Sequence, residues 1–215
     1  MTDETPDPPP PVRRRPVPWV SALVGLAGLA VGALAVGAAW LVSGPDAVDR
    51  RPVRPPQRIG QYVPIAPGTS GSSGLPEALS QIKARNEHSS QLLSESHRGA
   101  GALVDLYVDQ DIRQQLTVMI YRAPSPHPLY APYEDAASQG LAKSSQTVEE
   151  FGQVSCVVHN DPTPAGQTPE PESAHAVTCS RTNATLTVEI TPNGTATDVP
   201  SMVAALVDEA WSSVI

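Results

Sequence analysis

The sequence predicts an α+β protein: one N-terminal transmembrane helix, then an antiparallel sheet of about five strands with a C-terminal amphipathic helix packed on one face. Three observations predict it. An uncharged apolar run fills residues 17–42, short segments of alternating polar and apolar residues recur after residue 100, and the last sixteen residues carry an apolar stripe at helical spacing.

The first element is the apolar run Val17–Val42, VPWVSALVGLAGLAVGALAVGAAWLV. A bilayer core of ~30 Å needs ~20 apolar residues at ~1.5 Å rise each. Trp19 and Trp40 lie 21 residues apart, roughly 32 Å along a helix, which suits an indole at each interface. A cleaved signal peptide is the rival reading, with Arg13, Arg14 and Arg15 as its basic region and Val36-Gly37-Ala38 as a small-residue cleavage site. The run, however, exceeds the ~7–15 residues of a signal core. Within the run, Ser21, Gly25, Gly28, Gly32, Ala35 and Ala39 recur at spacings of four and three, so they share one helix face. Such a face admits close approach of a second helix, although an Ala/Gly-rich run produces a small-residue stripe easily.

Residues 1–16 (MTDETPDPPPPVRRRP) form a disordered, proline-rich cytoplasmic tail, too short for a folded output domain. Residues 43–74 read as a Pro/Arg- and Gly/Ser-rich stalk, stiff through RRPVRPPQR and flexible through PGTSGSSG. The GTSGSSG run lacks the G-x-S-x-G order of a nucleophile elbow and any lysine for a phosphate loop.

The folded domain spans residues 75–215. Pro76 and Glu77 start a helix with a weak stripe through Leu79 and Ile82, and His88-Ser89-Ser90 argue against its continuity. Strands follow at 102–109, with Val104, Leu106 and Val108 on one face and Asp105 and Tyr107 on the other, and at 115–121, as a hairpin. Residues 130–143 suit a short helix before Gly140. Further strands fall at 153–159, 175–181 and 185–190, the last two joined by a turn at Thr182-Asn183-Ala184. The sheet is expected to have one buried and one wet face. Asp198 is placed to cap the final helix, with Pro200 in its first turn and Val203, Leu206, Val207 and Ala210 on its apolar stripe.

Cys156 and Cys179, the only cysteines, lie on strands that are consecutive in sequence. Antiparallel pairing of those strands sets them opposite each other at disulfide distance, which suits an oxidising compartment. Arginines flank both ends of the apolar run, so the positive-inside count nearly ties. Arg15 is nearer to it than Arg50, and the cysteine pair also favours an extracytoplasmic domain.

The net charge of −8 comes with scattered acidic residues, which excludes nucleic acid as a partner. His88, His97, His127, His159 and His175 show no metal-ligand spacing, and no cofactor motif is present. With PPPPVRRRP, the Val17–Val42 run, the two cysteine strands and the terminal LVDEAWSSVI, the chain resembles single-pass membrane proteins of high-GC Gram-positive bacteria with a small extracytoplasmic α+β domain. That resemblance implies no activity. The expected function is a non-enzymatic module of the cell envelope, at the cell membrane, that binds a partner protein or wall component. A surface-anchored hydrolase is the alternative. Expected partners are the lipid bilayer and, through the small-residue face, a second helix or second copy.

If that face mediates contact, Gly28→Ile combined with Gly32→Ile weakens helix association in a membrane reporter assay. Substitutions at Leu26 and Leu34, off the stripe, leave it near wild type. Equal effects from both sets reduce the stripe to composition.

Overall fold

In the computed structural model, residues 48–66, 76–125, 129–132, 134–193 and 198–215 are described. The expected tail, the apolar run 17–42, its contact face (Ser21, Gly25, Gly28, Gly32, Ala35 and Ala39) and the flexible end of the stalk lie outside them. Among the described residues no helix is long and apolar enough to cross a membrane.

The elements in chain order are β1 (Val63–Pro64), α1 (Pro76–Ser96), β2 (Ala102–Val108), β3 (Gln115–Tyr121), β4 (Gln146–Phe151), β5 (Val154–Asn160), β6 (Ala174–Thr182), β7 (Thr187–Asn193) and α2 (Pro200–Val214). The strands form one antiparallel sheet in the order β1-β2-β3-β7-β6-β5-β4. The class is the expected α+β, but the sheet has seven strands instead of about five.

The two additional strands are the edges, where sequence patterns are weakest. β4 reads QTVEEF, and its adjacent Glu149 and Glu150 break the apolar alternation that marks a half-buried strand. Such charges are normal on an edge, where they discourage pairing with another chain. β1 is only two residues long, inside the segment expected to be a stalk. Residues 48–66 instead belong to the compact unit Val48–Ile215 and lie along β2 as a strap. Asp49 O accepts from Gly101 N at 2.8 Å, Pro56 O from the Tyr107 hydroxyl at 2.6 Å, and Ile65 N donates to Leu106 O at 2.9 Å. Ile59 and Tyr62 are fully buried. Gly101 permits the close approach, since a Cβ there would overlap the Arg51 carbonyl.

The core lies between one sheet face and α2. Cross-strand register places Tyr107, Leu116, Val118, Ile120, Val188, Ile190, Cys179 and Cys156 on this face. Val203, Val207, Ala210 and Trp211 of α2 pack over β5, β6 and β7. On β2 the core side is therefore that of Tyr107 and Asp105, not that of Val104 and Leu106. Trp211 also takes the Arg181 guanidinium 4.7 Å from its ring centroid, and Arg181 donates to Asp208 at 2.9 Å. The cap of α2 differs from expectation: the N-cap residue is Val199 with no side-chain cap, because the Asp198 carboxylate is bonded to His175.

The opposite face is only partly wet. Ser155, Ser180 and Thr187 sit on it and are buried. The long connection from β3 to β4 starts over this face, where Thr187 Oγ1 donates to Ala123 O, and ends where the Asn160 amide donates to Ser144 O. The short helix expected at 130–143 is a single 3₁₀ turn, Ala137–Gln139.

α1 is continuous through His88-Ser89-Ser90, where a tertiary contact holds Ser90. Ser90 Oγ donates to Asn86 O at 2.8 Å and accepts from Val104 N at 2.8 Å. That amide is on the outer edge of β2, beyond the reach of the short β1. The helix thus covers an otherwise open edge.

Cys156 and Cys179 face each other in register and form a disulfide, 23 residues apart in sequence, in the buried core. A loop of this size stabilises the fold by roughly 3 kcal/mol through the unfolded chain. Protein isolated with thiols trapped is expected to contain no free cysteine. Reduction, or Cys156→Ser, lowers the melting temperature by several degrees; two alkylatable cysteines in native protein would contradict the pairing.

Candidate functional site

Three places bring chemically useful side chains together. The first is a groove of about 350 Å³ between α1 and strands β2, β3 and β7. Helical spacing puts Arg85, Asn86 and Ser89 along its helix wall, and strand register puts Gln115, Thr117 and Asn193 side by side on its floor. The Asn193 amide donates to Thr117 Oγ1 at 2.7 Å. Asn86 Nδ2 and Leu106 N both donate to Asp105 Oδ1, at 3.0 and 2.9 Å. Burial raises the Asp105 carboxyl above its usual range, and these two donors only partly offset the effect. The lining is thus mostly amide and hydroxyl, with Asp105 in the wall and the exposed Arg85 alongside. It contains no paired nucleophile and base.

The second place is the end of β5 and β6, where His159 and His175 are cross-strand partners. His175 Nδ1 lies 2.9 Å from Asp198 Oδ2, and Nε2 lies 3.5 Å from Asp161 Oδ2. Partial burial pulls the His175 pKa down, but the hydrogen bonds and charges of Asp161 and Asp198 together outweigh it, so the net shift is upward. Nearby, Glu134 accepts from Ser145 Oγ at 2.7 Å and from Ser145 N at 3.0 Å, and these bonds lower its pKa; the His159 charge adds to the effect. Serine, histidine and carboxylate do therefore gather here. The serine proton, however, is directed at a carboxylate and not at an imidazole, the reverse of the order that activates a nucleophile.

The third place is the polar row Glu189, Ser180, Ser155 and Glu150, adjacent across β7, β6, β5 and β4. Ser155 Oγ donates to Glu150 at 2.7 Å, Thr178 Oγ1 donates to Glu189 at 3.0 Å, and the Ser180 hydroxyl is buried with no partner among the described residues. Burial raises the Glu189 carboxyl, and the Thr178 bond lowers it by less. Among the described residues no group of three or more His, Cys, Asp or Glu side chains could hold a metal ion.

Of the residues singled out in the sequence, Cys156 and Cys179 meet as expected. The groove was not anticipated. Its residues are scattered over four elements, and only the register of β3 against β7 makes neighbours of Gln115 and Asn193. No protein-family model, curated protein or solved structure matches the chain.

Two of the raised groups, Glu189 and His175, carry a sign that titration can read. A folded-state pKa above the unfolded value means stability that is present below the unfolded pKa and lost as pH rises through the folded one. For Glu189 the loss begins above about pH 4.3. Glu189→Gln, which keeps the Thr178 acceptor, therefore raises the melting temperature near neutrality and has no effect below about pH 4. For His175 the extra stability is present below about pH 6.5. His175→Gln removes it there, and the two proteins converge at pH values above the raised pKa. A difference independent of pH in either variant refutes the assignment.

Proposed function

We propose that the protein is a membrane-anchored extracytoplasmic module of the cell envelope that binds a partner protein or wall component through the α1 groove. The observation that carries this reading is the lining. The Arg85 guanidinium, the Ser89 hydroxyl and the Gln115 amide have no side-chain partner among the described residues, while the groups around them are engaged with each other. Free donors and acceptors held on a helix and a strand suit a polar ligand, such as a peptide backbone or a glycan. The buried disulfide supports an oxidising compartment, and the uncharged run 17–42 supports the anchor.

The hydrolase alternative draws on Ser145, Glu134 and His159, but their hydrogen bonding is that of a structural tie: Ser144 Oγ also donates to Glu134 O, at 2.9 Å, and fixes the loop.

A photo-crosslinking residue at Gln115 of the full-length chain is expected to give a discrete adduct in intact cells. The same residue at Ala205, exposed on α2, gives none. Arg85→Ala with Ser89→Ala reduces adduct formation by about tenfold for each hydrogen bond lost and leaves the melting temperature unchanged. Equal labelling from both positions, or no effect of the double variant, overturns the reading.

A further inference from the structure

The strap gathers four of the fourteen basic residues of an otherwise acidic chain. Arg50, Arg51, Arg54 and Arg58 fall within nine residues, against a net charge of −8 overall. Their backbone is pinned to the domain through Asp49 O, Pro56 O and the Arg51 carbonyl, which accepts from Arg122 Nε at 3.1 Å. Pro52, Pro55 and Pro56 restrict what remains of its freedom. Pinned through its carbonyls, the strap leaves all four arginine side chains exposed.

They are not equivalent. Arg51 is committed to Asp49, with Nε and Nη2 donating to the carboxylate at 3.0 and 2.7 Å. The Arg51 bonds hold the Asp49 carboxyl down at about 2. Arg122 approaches the same carboxylate at 3.7 Å. Arg50, Arg54 and Arg58 have no ion pair among the described residues. Arg50 also lies against Gly99, next in sequence to the exposed Arg98, so a fourth free cation adjoins the strap.

We propose that the strap is a docking surface for anionic lipid headgroups, which holds the domain against the membrane that anchors it. This rests on the reading of residues 17–42 as a membrane span. An unpaired guanidinium matches a phosphodiester bidentately. Each arginine near an anionic surface is worth roughly fivefold in partitioning. Lipid is favoured over an anionic wall polymer by sequence distance: the compact unit begins at Val48, six residues after Val42. Six extended residues reach at most about 20 Å.

The test uses the full chain in nanodiscs of phosphatidylcholine alone and in nanodiscs that also carry phosphatidylglycerol. Hydrogen exchange is followed across residues 48–62. Phosphatidylglycerol is expected to slow exchange several-fold, and the effect disappears near 1 M salt, where the screening length is about 3 Å. Arg50→Gln, Arg54→Gln and Arg58→Gln together abolish the lipid dependence; Arg51 is retained for its pairing with Asp49, so the melting temperature is unchanged. Incorporation into discs without lipid-dependent exchange overturns the docking surface alone. Failure to incorporate overturns the anchor, and the docking surface with it. Protection in phosphatidylcholine discs by added poly(glycerol phosphate), with none from phosphatidylglycerol, overturns the lipid in favour of a wall polymer.

Discussion

One helix cannot cover this sheet. Seven strands at ~4.8 Å spacing make a surface roughly 29 Å wide, whereas a helix with its side chains is about 10–12 Å across. α2 covers β5, β6 and β7, and the other half of the apolar face would remain in water. The strap resolves this. Ile59 and Tyr62 bring fully buried side chains to that half, and Val53 packs against the same core. In a chain with only 4% aromatic residues, Tyr62 and Tyr107 are a large share of the available ring area, each worth roughly 150–250 Å². Gly101, the Tyr107 hydroxyl and the backbone of β2 are arranged around this one requirement.

Much of the sheet was legible because its central strands alternate. β2 and β3 fall within a residue of the sequence assignment, and β5, β6 and α2 are close to it. Leu116, Val118 and Ile120 share a face as their period requires. The strap was not legible, since RRPVRPPQR carries proline and charge in the proportions of an exposed linker. Only the contacts of Pro56, Ile59 and Tyr62 with distant β2 and Gln114 reveal it as core. The groove failed for a related reason. Its polar residues have no local signature, and only pairing across 76 residues places Asn193 beside Thr117. Asp198 has the chemistry of a helix cap, but a histidine that approaches from β6 claims it.

The electrostatic character of the fold is uneven. Partly buried carboxylates on the β2 edge and on β7 are held by neutral donors: Asp105 by Asn86 and the Leu106 amide, Glu189 by Thr178. These charges cost stability instead of adding it. By contrast Asp49, at the domain entrance, is met directly by arginine. Asp208 on α2 is likewise met by Arg181 of β6.

The strand order has a consequence for assembly in time. β1, β2 and β3 form one meander, and β4, β5, β6 and β7 form another, each built from neighbours in sequence. The two halves join only through β3 and β7, along seven residue pairs with Val118 opposite Ile190 at the middle. β7 is the last strand to be synthesised, yet it is central in the sheet. Until it arrives, the inner edge of β3 has no partner, and the core layer that α2 completes cannot close. A chain of this topology must keep the inner edge of β3 unpaired while residues 122–186 are made, and pairing at such sequence separation slows folding.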